Sequence, residues 1–290
     1  MSEWINTLLQ GLLLGGLYAM FAAGLSLSFG VMRMINIAHG DMIVFAGYAA
    51  IAVVAPLQLS PWLAFAVVVP ALALLGYLAQ RFVFNRTLGD DVLRPLLLTF
   101  GLSIVIQNAL LEVFSADVRR LDVGALGTAH WSLGGDVAVG VLPVIVMATA
   151  VAAIAALQWL FRRTRTGRAF RATSDDPGTA SLMGVDRQHV YALAMAVASA
   201  MVALAGIFLV MRTTISPTDG PARLLYSFEA VIIGGLGSLW GTLAGGVILG
   251  VAQAIGSKLD PGWGVLAGHL AFLAVLMFRP QGLFPKTRDR

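Results

Sequence analysis

Apolar and polar residues fall along this chain in long blocks, unlike the short alternations of a soluble fold. Runs of about 17–25 apolar residues, the length that crosses a bilayer as a helix, lie near 8–30, 37–57, 61–80, 93–114, 139–161, 189–211 and 264–278. The polar stretches between them are short. The longest, 115–138 and 162–188, have too few residues to bury a core of their own. Segment 226–256 is also apolar but contains eight glycines. Glycine weakens a helix interior, and non-helical backbone at membrane depth is tolerated where protein surrounds it. The cluster Gly234-Gly235-Leu236-Gly237-Ser238 therefore predicts a broken or re-entrant element with its turn at that point. The pattern as a whole predicts an all-α, polytopic membrane helix bundle of about seven to eight spans, with residues 1–290 as a single transmembrane domain.

Composition agrees with this pattern. The chain is 58% hydrophobic and 12% charged, against about 25% charged in an ordinary soluble domain. The placement of the scarce charge is more informative than its sum. Of 19 Lys and Arg residues, those at Arg33, at 81–94, at 162–188 and from Arg279 onward fall between alternate spans and mark one side. Arg119, Arg120, Arg212, Arg223 and Lys258 mark the other. Basic residues concentrate in cytoplasmic loops, so the first set predicts the inner side, with the N-terminus outside and the C-terminus inside. That alternation closes only if 226–256 is a hairpin that enters and leaves from the outer side. The N-terminus lacks the basic run of a cleavable signal peptide. Trp4, Trp62, Trp131, Trp159, Trp240 and Trp263 sit mostly near span ends, as an aromatic belt does.

Several chemistries find no footing. Cysteine is absent, which removes disulfides and thiolate chemistry. The two lysines follow Ser257 and Pro285, so neither belongs to a phosphate-binding Gly-Lys-Ser/Thr loop. No His-Glu-x-x-His helix or Gly-x-Ser-x-Gly elbow occurs, and His130, His189 and His269 lie far apart without a ligand pattern. The residues give no support to an enzyme, a bound metal or a nucleic-acid partner.

Two polar constellations remain. In the inner loop 162–188, Arg168 and Arg171 belong to an arginine-rich run, followed by Asp176, Pro177, Ala180, Leu182, Met183 and Gly184. Asp176 suits an N-cap, Pro177 the first helical position and Gly184 the left-handed residue past the end. These signals predict a short helix at about 177–183 that offers Leu182 and Met183 to a cytoplasmic partner; the alternative is a capped turn whose arginines rest near anionic lipid headgroups. Between the first two spans lie Asn36, His39 and Asp41. With Gln107, Glu229 and the turn residues Gly234, Gly235, Gly237 and Ser238, they are candidates for a translocation path. Ionisable groups inside a membrane are costly and face the bundle interior or water. Interfacial capping by Asp41 and interhelical hydrogen bonding by Gln107 are the alternatives.

The strings Gly15-Gly16-Leu17-Tyr18-Ala19 and Gly30-Val31-Met32-Arg33-Met34-Ile35-Asn36-Ile37-Ala38-His39-Gly40-Asp41 resemble the opening signature of the branched-chain amino acid ABC-transporter permeases. Blocks at 166–172, 180–185, 228–241 and 278–283 agree in order along the chain. The resemblance implies a permease subunit in the bacterial inner membrane, paired with a second, related permease, two cytoplasmic ATPases and a periplasmic substrate-binding protein. It implies that this chain binds no cofactor and that ATP is used by the partner subunit. It also implies that the inner loop docks in the ATPase. That loop departs from the general importer pattern, which has Glu-Ala-Ala, three residues and Gly: here Gly178, Thr179 and Ala180 precede the retained Gly184. Branched-chain amino acids, other amino acids, urea or short amides are the solutes such relatives carry. An ion-coupled secondary transporter or channel using Asp41 or Glu229 is the competing class.

Overall fold

The computed structural model describes residues 2–56, 60–88, 93–132 and 137–284. Its helices are α1 (Ser2–Met32), α2 (His39–Val54), α3 (Leu63–Phe82), α4 (Leu93–Phe114), α5 (Val141–Arg163), α6 (Arg165–Asp175), α7 (Pro177–Leu182), α8 (Arg187–Arg212), α9 (Gly220–Gly234), α10 (Leu239–Leu259) and α11 (Gly264–Phe278). The strands β1 (His130–Ser132) and β2 (Ala138–Gly140) pair antiparallel in the 115–138 region, with His130 opposite Gly140. Among the described residues, this strand pair and an isolated bridge between Arg119 and Ile215 are the departures from an all-α reading. All six tryptophans are exposed, as a belt requires.

Among the described residues, seven helical stretches are long and apolar enough to cross a membrane: α1, α3, α4, α5, α8, α10 and α11 with the turn before it. Burial sorts them. The apolar window of α1 is 83% buried and that of α8 72%, against 17% for α4 and 6% for α11. α1 and α8 are therefore the central pillars, and α4 and α11 form the rim, where Leu97, Val105, Leu270 and Phe278 are exposed.

The prediction of a full span at 37–57 needs correction. α2 has 16 residues, about 24 Å at 1.5 Å per residue, short of a hydrocarbon core of about 30 Å. Residues 33–38 instead run back into the bundle without helical structure. The glycine-rich segment also extends further than 226–256. Its arms are α9 and α10, and the break falls at 235–238. α9 has 15 residues and is short like α2, whereas α10 alone reaches span length. The element is thus a broken hairpin, and its turn reaches the far end of the bundle.

These two short helices share a pattern. α1 packs along α10 and α8 along α3, in the most extensive pairings of the fold. Both pairings are antiparallel: Gly11 meets Val251 and Ala254 while Gly15 meets Val247, and Asn85, just past α3, donates to the Gln188 carbonyl of α8 at 3.1 Å. Each central helix closes on Val-Met-Arg, at 31–33 and 210–212. Each then gives way to a non-helical stretch and a short helix, α2 or α9. The α1–α4 and α8–α11 halves are in this sense an inverted repeat, a common plan of membrane transporters.

Helix directions place the charge. Ser174 of α6 bonds to Gly30 near the end of α1, Gly30 faces Gly237 in the hairpin turn, and Gly282 lies against Gly235. One end of the bundle therefore carries Arg33, Arg81, Arg86, Arg94, the six arginines of 162–187 and Arg279. Lys286, Arg288 and Arg290 lie outside the described residues.

Candidate functional site

The starts of α2 and α9 meet inside the bundle. Asn36 Oδ1 accepts from the Ala38 amide at 3.0 Å, a local turn that redirects the chain into α2. The backbone amide of Ile37 donates to Thr99 Oγ1 of α4 at 3.2 Å. His39 Nε2 lies 2.7 Å from the Phe21 carbonyl, a residue roughly 16 Å back from the end of α1. α2 therefore begins at mid-depth. Asp41, in its first turn, accepts from Gln107 Nε2 of α4 at 2.9 Å.

Against this corner lies Gly220, the first residue of α9. A side-chain carbon added there would strike the Asp41 carboxylate and come within 2.9 Å of its Cα. One added at Gly40 would strike the Gly220 carbonyl and come within 2.6 Å of the Leu224 nitrogen. Two glycines thus allow two helix N-termini to cross backbone to backbone, and both point partial positive charge toward the Asp41 carboxyl group. Asn108, next to Gln107, turns away and bonds to its own helix at Ile104.

Glu229 lies apart from this corner. It pairs with His269 of α11, while its second oxygen is buried without a partner. Tyr226 stacks near His269 and lies tilted against Tyr18, whose hydroxyl bonds to Gln253. Gly234, Gly235, Gly237 and Ser238 form the hairpin turn at the arginine-rich end. Gly235 and Gly237 take φ values of 98° and 76°, conformations that glycine adopts without strain. Ser238 caps α10 by accepting from the Gly241 amide. A strap after α11 closes on this turn: Leu283 N donates to Ile233 O at 2.9 Å and Phe284 N to Gly234 O at 3.0 Å. The structure therefore joins the 228–241 and 278–283 blocks. Asn36, His39 and Asp41 gather with Gln107, while Glu229 and the turn occupy separate places. Asn36, His39, Asp41, Glu229 and Ser238 are each at most 3% exposed, so the bundle is sealed at these points.

The 162–188 loop is an ordered arm. Thr164 breaks α5 with extended backbone and caps α6, accepting from the Gly167 amide at 3.0 Å. The inner face of α6 is Gly167, Phe170 and Thr173, all buried. Phe170 packs on Phe161 with ring centroids 5.4 Å apart, and Arg171 donates to the Phe161 carbonyl. Asp176 then caps α7, as the sequence predicts: Oδ1 accepts from the Gly178 and Thr179 amides at 2.9 and 3.0 Å, and Oδ2 from the Thr179 hydroxyl at 2.6 Å. At the far end Val185 N donates to Ala180 O and Gly184 N to Ser181 O, with Gly184 at φ 83°. This is the paired closure of a Schellman motif. Ala180 is buried, while Leu182 and Met183 are 89% and 80% exposed. The exposed arginines include Arg168 and Arg171.

The bonds from Thr179, then the Gly178 amide, hold the Asp176 carboxyl below the usual carboxylate range. Because the folded value is lowered, the cap contributes at all pH above the unfolded value and is lost only as pH falls through the lowered one. We expect Asp176→Ala to fray α7, seen as faster tryptic cleavage at Arg171 and Arg187 at neutral pH. The parent should show comparable cleavage only in acid, by a protease active there. Equal cleavage of parent and variant at neutral pH would contradict this account of the cap.

The geometry defines a multi-pass membrane protein with broken helices crossing at mid-depth and an ordered arm at its arginine-rich end. A family model described as "Branched-chain amino acid transport system / permease component" matches residues 7–278, and the chain belongs to that family. It is 30% identical to the high-affinity branched-chain amino acid transport system permease protein BraD of Pseudomonas aeruginosa, covering 97% of this chain and 95% of that protein. The corresponding LivH permease of Escherichia coli is 28% identical with the same coverage. Among solved structures, PsaBC from Streptococcus pneumoniae, determined in complex with Fab, matches with a TM-score of 0.51 over 96% of each chain at 16% identity. That likeness concerns the fold alone.

Proposed function

We propose that this chain translocates branched-chain amino acids across a bacterial inner membrane, as a permease subunit of an importer driven by separate ATPase subunits. The observation that carries the reading is the α6–α7 arm. It is anchored on α5, capped at both ends of α7, and presents two large apolar side chains, Leu182 and Met183, at the arginine-rich end. A rigid apolar projection in water is characteristic of a docking element. Basic residues mark the cytoplasmic side, so the arm faces the cytoplasm and the C-terminus lies there too. The partners are a second related permease, two ATPases that bind and use ATP, and a substrate-binding protein on the opposite side. The chain itself carries no nucleotide loop and takes no cofactor. The solute assignment follows the BraD and LivH relatives.

The test is purification in a gentle detergent, identification of the co-purifying chains, and reconstitution in liposomes. Recovery of an ATPase and a second permease, with leucine uptake that needs ATP, supports the proposal. Uptake by the isolated chain under an ion gradient would overturn it.

On this reading the crossing of α2 and α9 and the turn at 235–238 line the route and are closed in the present conformation. The chain has no native cysteine, so Asn36→Cys and Ser238→Cys can be labelled cleanly. We expect little reaction with aqueous thiol reagents at rest and at least about tenfold faster reaction during ATP turnover, since a residue sealed from water reacts through a minor open state. Rates that do not change with ATP would remove these positions from the route.

A further inference from the structure

The arm and the hairpin turn meet at one point, the end of α1. Helix α1 stops at Met32, and Arg33 takes a left-handed conformation at φ 51°, uncommon for a residue other than glycine. The Arg33 amide still bonds to Phe29, but residue 34 has left the helix. The Gly30 carbonyl is thus one of the acceptors that a helix end leaves open. Ser174, in the last turn of α6, fills it: Oγ donates to Gly30 O at 2.6 Å across 144 residues of sequence. On its other side Gly30 faces the hairpin turn, where an added side-chain carbon would lie 3.3 Å from Gly237 Cα. That turn is in turn clasped by the strap at Leu283 and Phe284.

We infer that Ser174 is a positioning residue for transport. By holding the Gly30 carbonyl, its hydroxyl makes a displacement of the α6–α7 arm move the end of α1 and the glycine turn together. The inference rests on the reading that α7 meets an ATPase. The arm does not depend on this bond for its own anchorage, which Gly167, Phe170 and Arg171 supply against α5. α6 also packs beside α1 and α8; what the bond adds is a directional tie to a backbone acceptor at the end of α1, at a reversal of the chain. The same reversal leads through 34–38 to the crossing at Gly40 and Gly220. One hydrogen bond therefore connects the arm to both closed points of the route.

The experiment uses the complete complex in liposomes, with ATP hydrolysis and leucine uptake measured in the same vesicles. Ser174→Ala should assemble normally and keep its stimulated ATP hydrolysis, while leucine imported per ATP falls about three- to tenfold, the factor associated with one lost hydrogen bond. Ser174→Thr retains the hydroxyl and should restore most of the ratio. An unchanged ratio in Ser174→Ala would overturn the inference, as would failed assembly or an equal loss in both variants. Parent complexes that show no ATP-driven uptake would overturn the functional reading itself, a result visible before any variant is made.

Discussion

Alanine at Gly220 should abolish transport and destabilise the protein. The added methyl group has no free volume: it falls on the Asp41 carboxylate and within 2.9 Å of the Asp41 backbone. A flexible side chain could swing aside, but Asp41 is short, bonded to Gln107 and in the first turn of α2. The helices must separate, at a cost of roughly 1–3 kcal/mol or more for overpacking a close contact. Separation also disturbs the crossing at which the route is closed. We expect uptake to drop by at least about tenfold, the factor that ~1.4 kcal/mol represents, together with a lower unfolding midpoint in detergent. Gly101→Ala on α4 is the matched control, since an added carbon there meets nothing within 4 Å. Its helix should be unaffected or slightly stabilised, because alanine is the better helix former. Parent-like uptake and stability in Gly220→Ala would contradict the crossing as described.

That contact also shows what could be read from sequence and what could not. Membrane helices are legible because about 20 apolar residues are needed to span a bilayer. The α7 signals are legible because caps are local chemistry: Asp176, Pro177 and Gly184 act within a few residues of their own position. The α6 helix was just as local but was obscured by its charge. Gly167, Phe170 and Thr173 recur at the spacing of one helical face while the arginines between them attract notice. The shortness of α2 was hidden for the opposite reason. Residues 37 and 38 are apolar and read as the start of a span, although their backbone is not helical. The inverted repeat left only Val-Met-Arg in both halves as a clue. The meeting of Gly40 with Gly220, of Glu229 with His269 and of Ser174 with Gly30 joins residues far apart in the chain. No periodicity records such pairs.

The second large effect should come from the tip of the arm. Leu182→Asp and Met183→Asp place a carboxylate where two exposed apolar side chains now stand in water. In the isolated chain the change is inexpensive, because neither side chain contributes to the core and the α7 caps are made by the Asp176 side chain and by backbone groups that both substitutions leave in place. If these side chains insert into an ATPase groove, each variant must bury a charge there without a partner, which is among the costliest changes at an interface. A loss of 2 kcal/mol or more at such an anchor, about 30-fold in affinity, is the expected scale. The variants should therefore match the parent in expression and unfolding midpoint yet retain little ATPase on purification and show little ATP-driven uptake. Gly184→Pro should act similarly for a different reason. Proline fixes φ near −65°, whereas this position needs +83°, so the exit from α7 is rebuilt and its tip re-aimed. A charged tip that still co-purifies with the ATPase and transports at the parent rate would mean that docking runs through another surface. The arginines of α6, exposed beside it, would be the next to test.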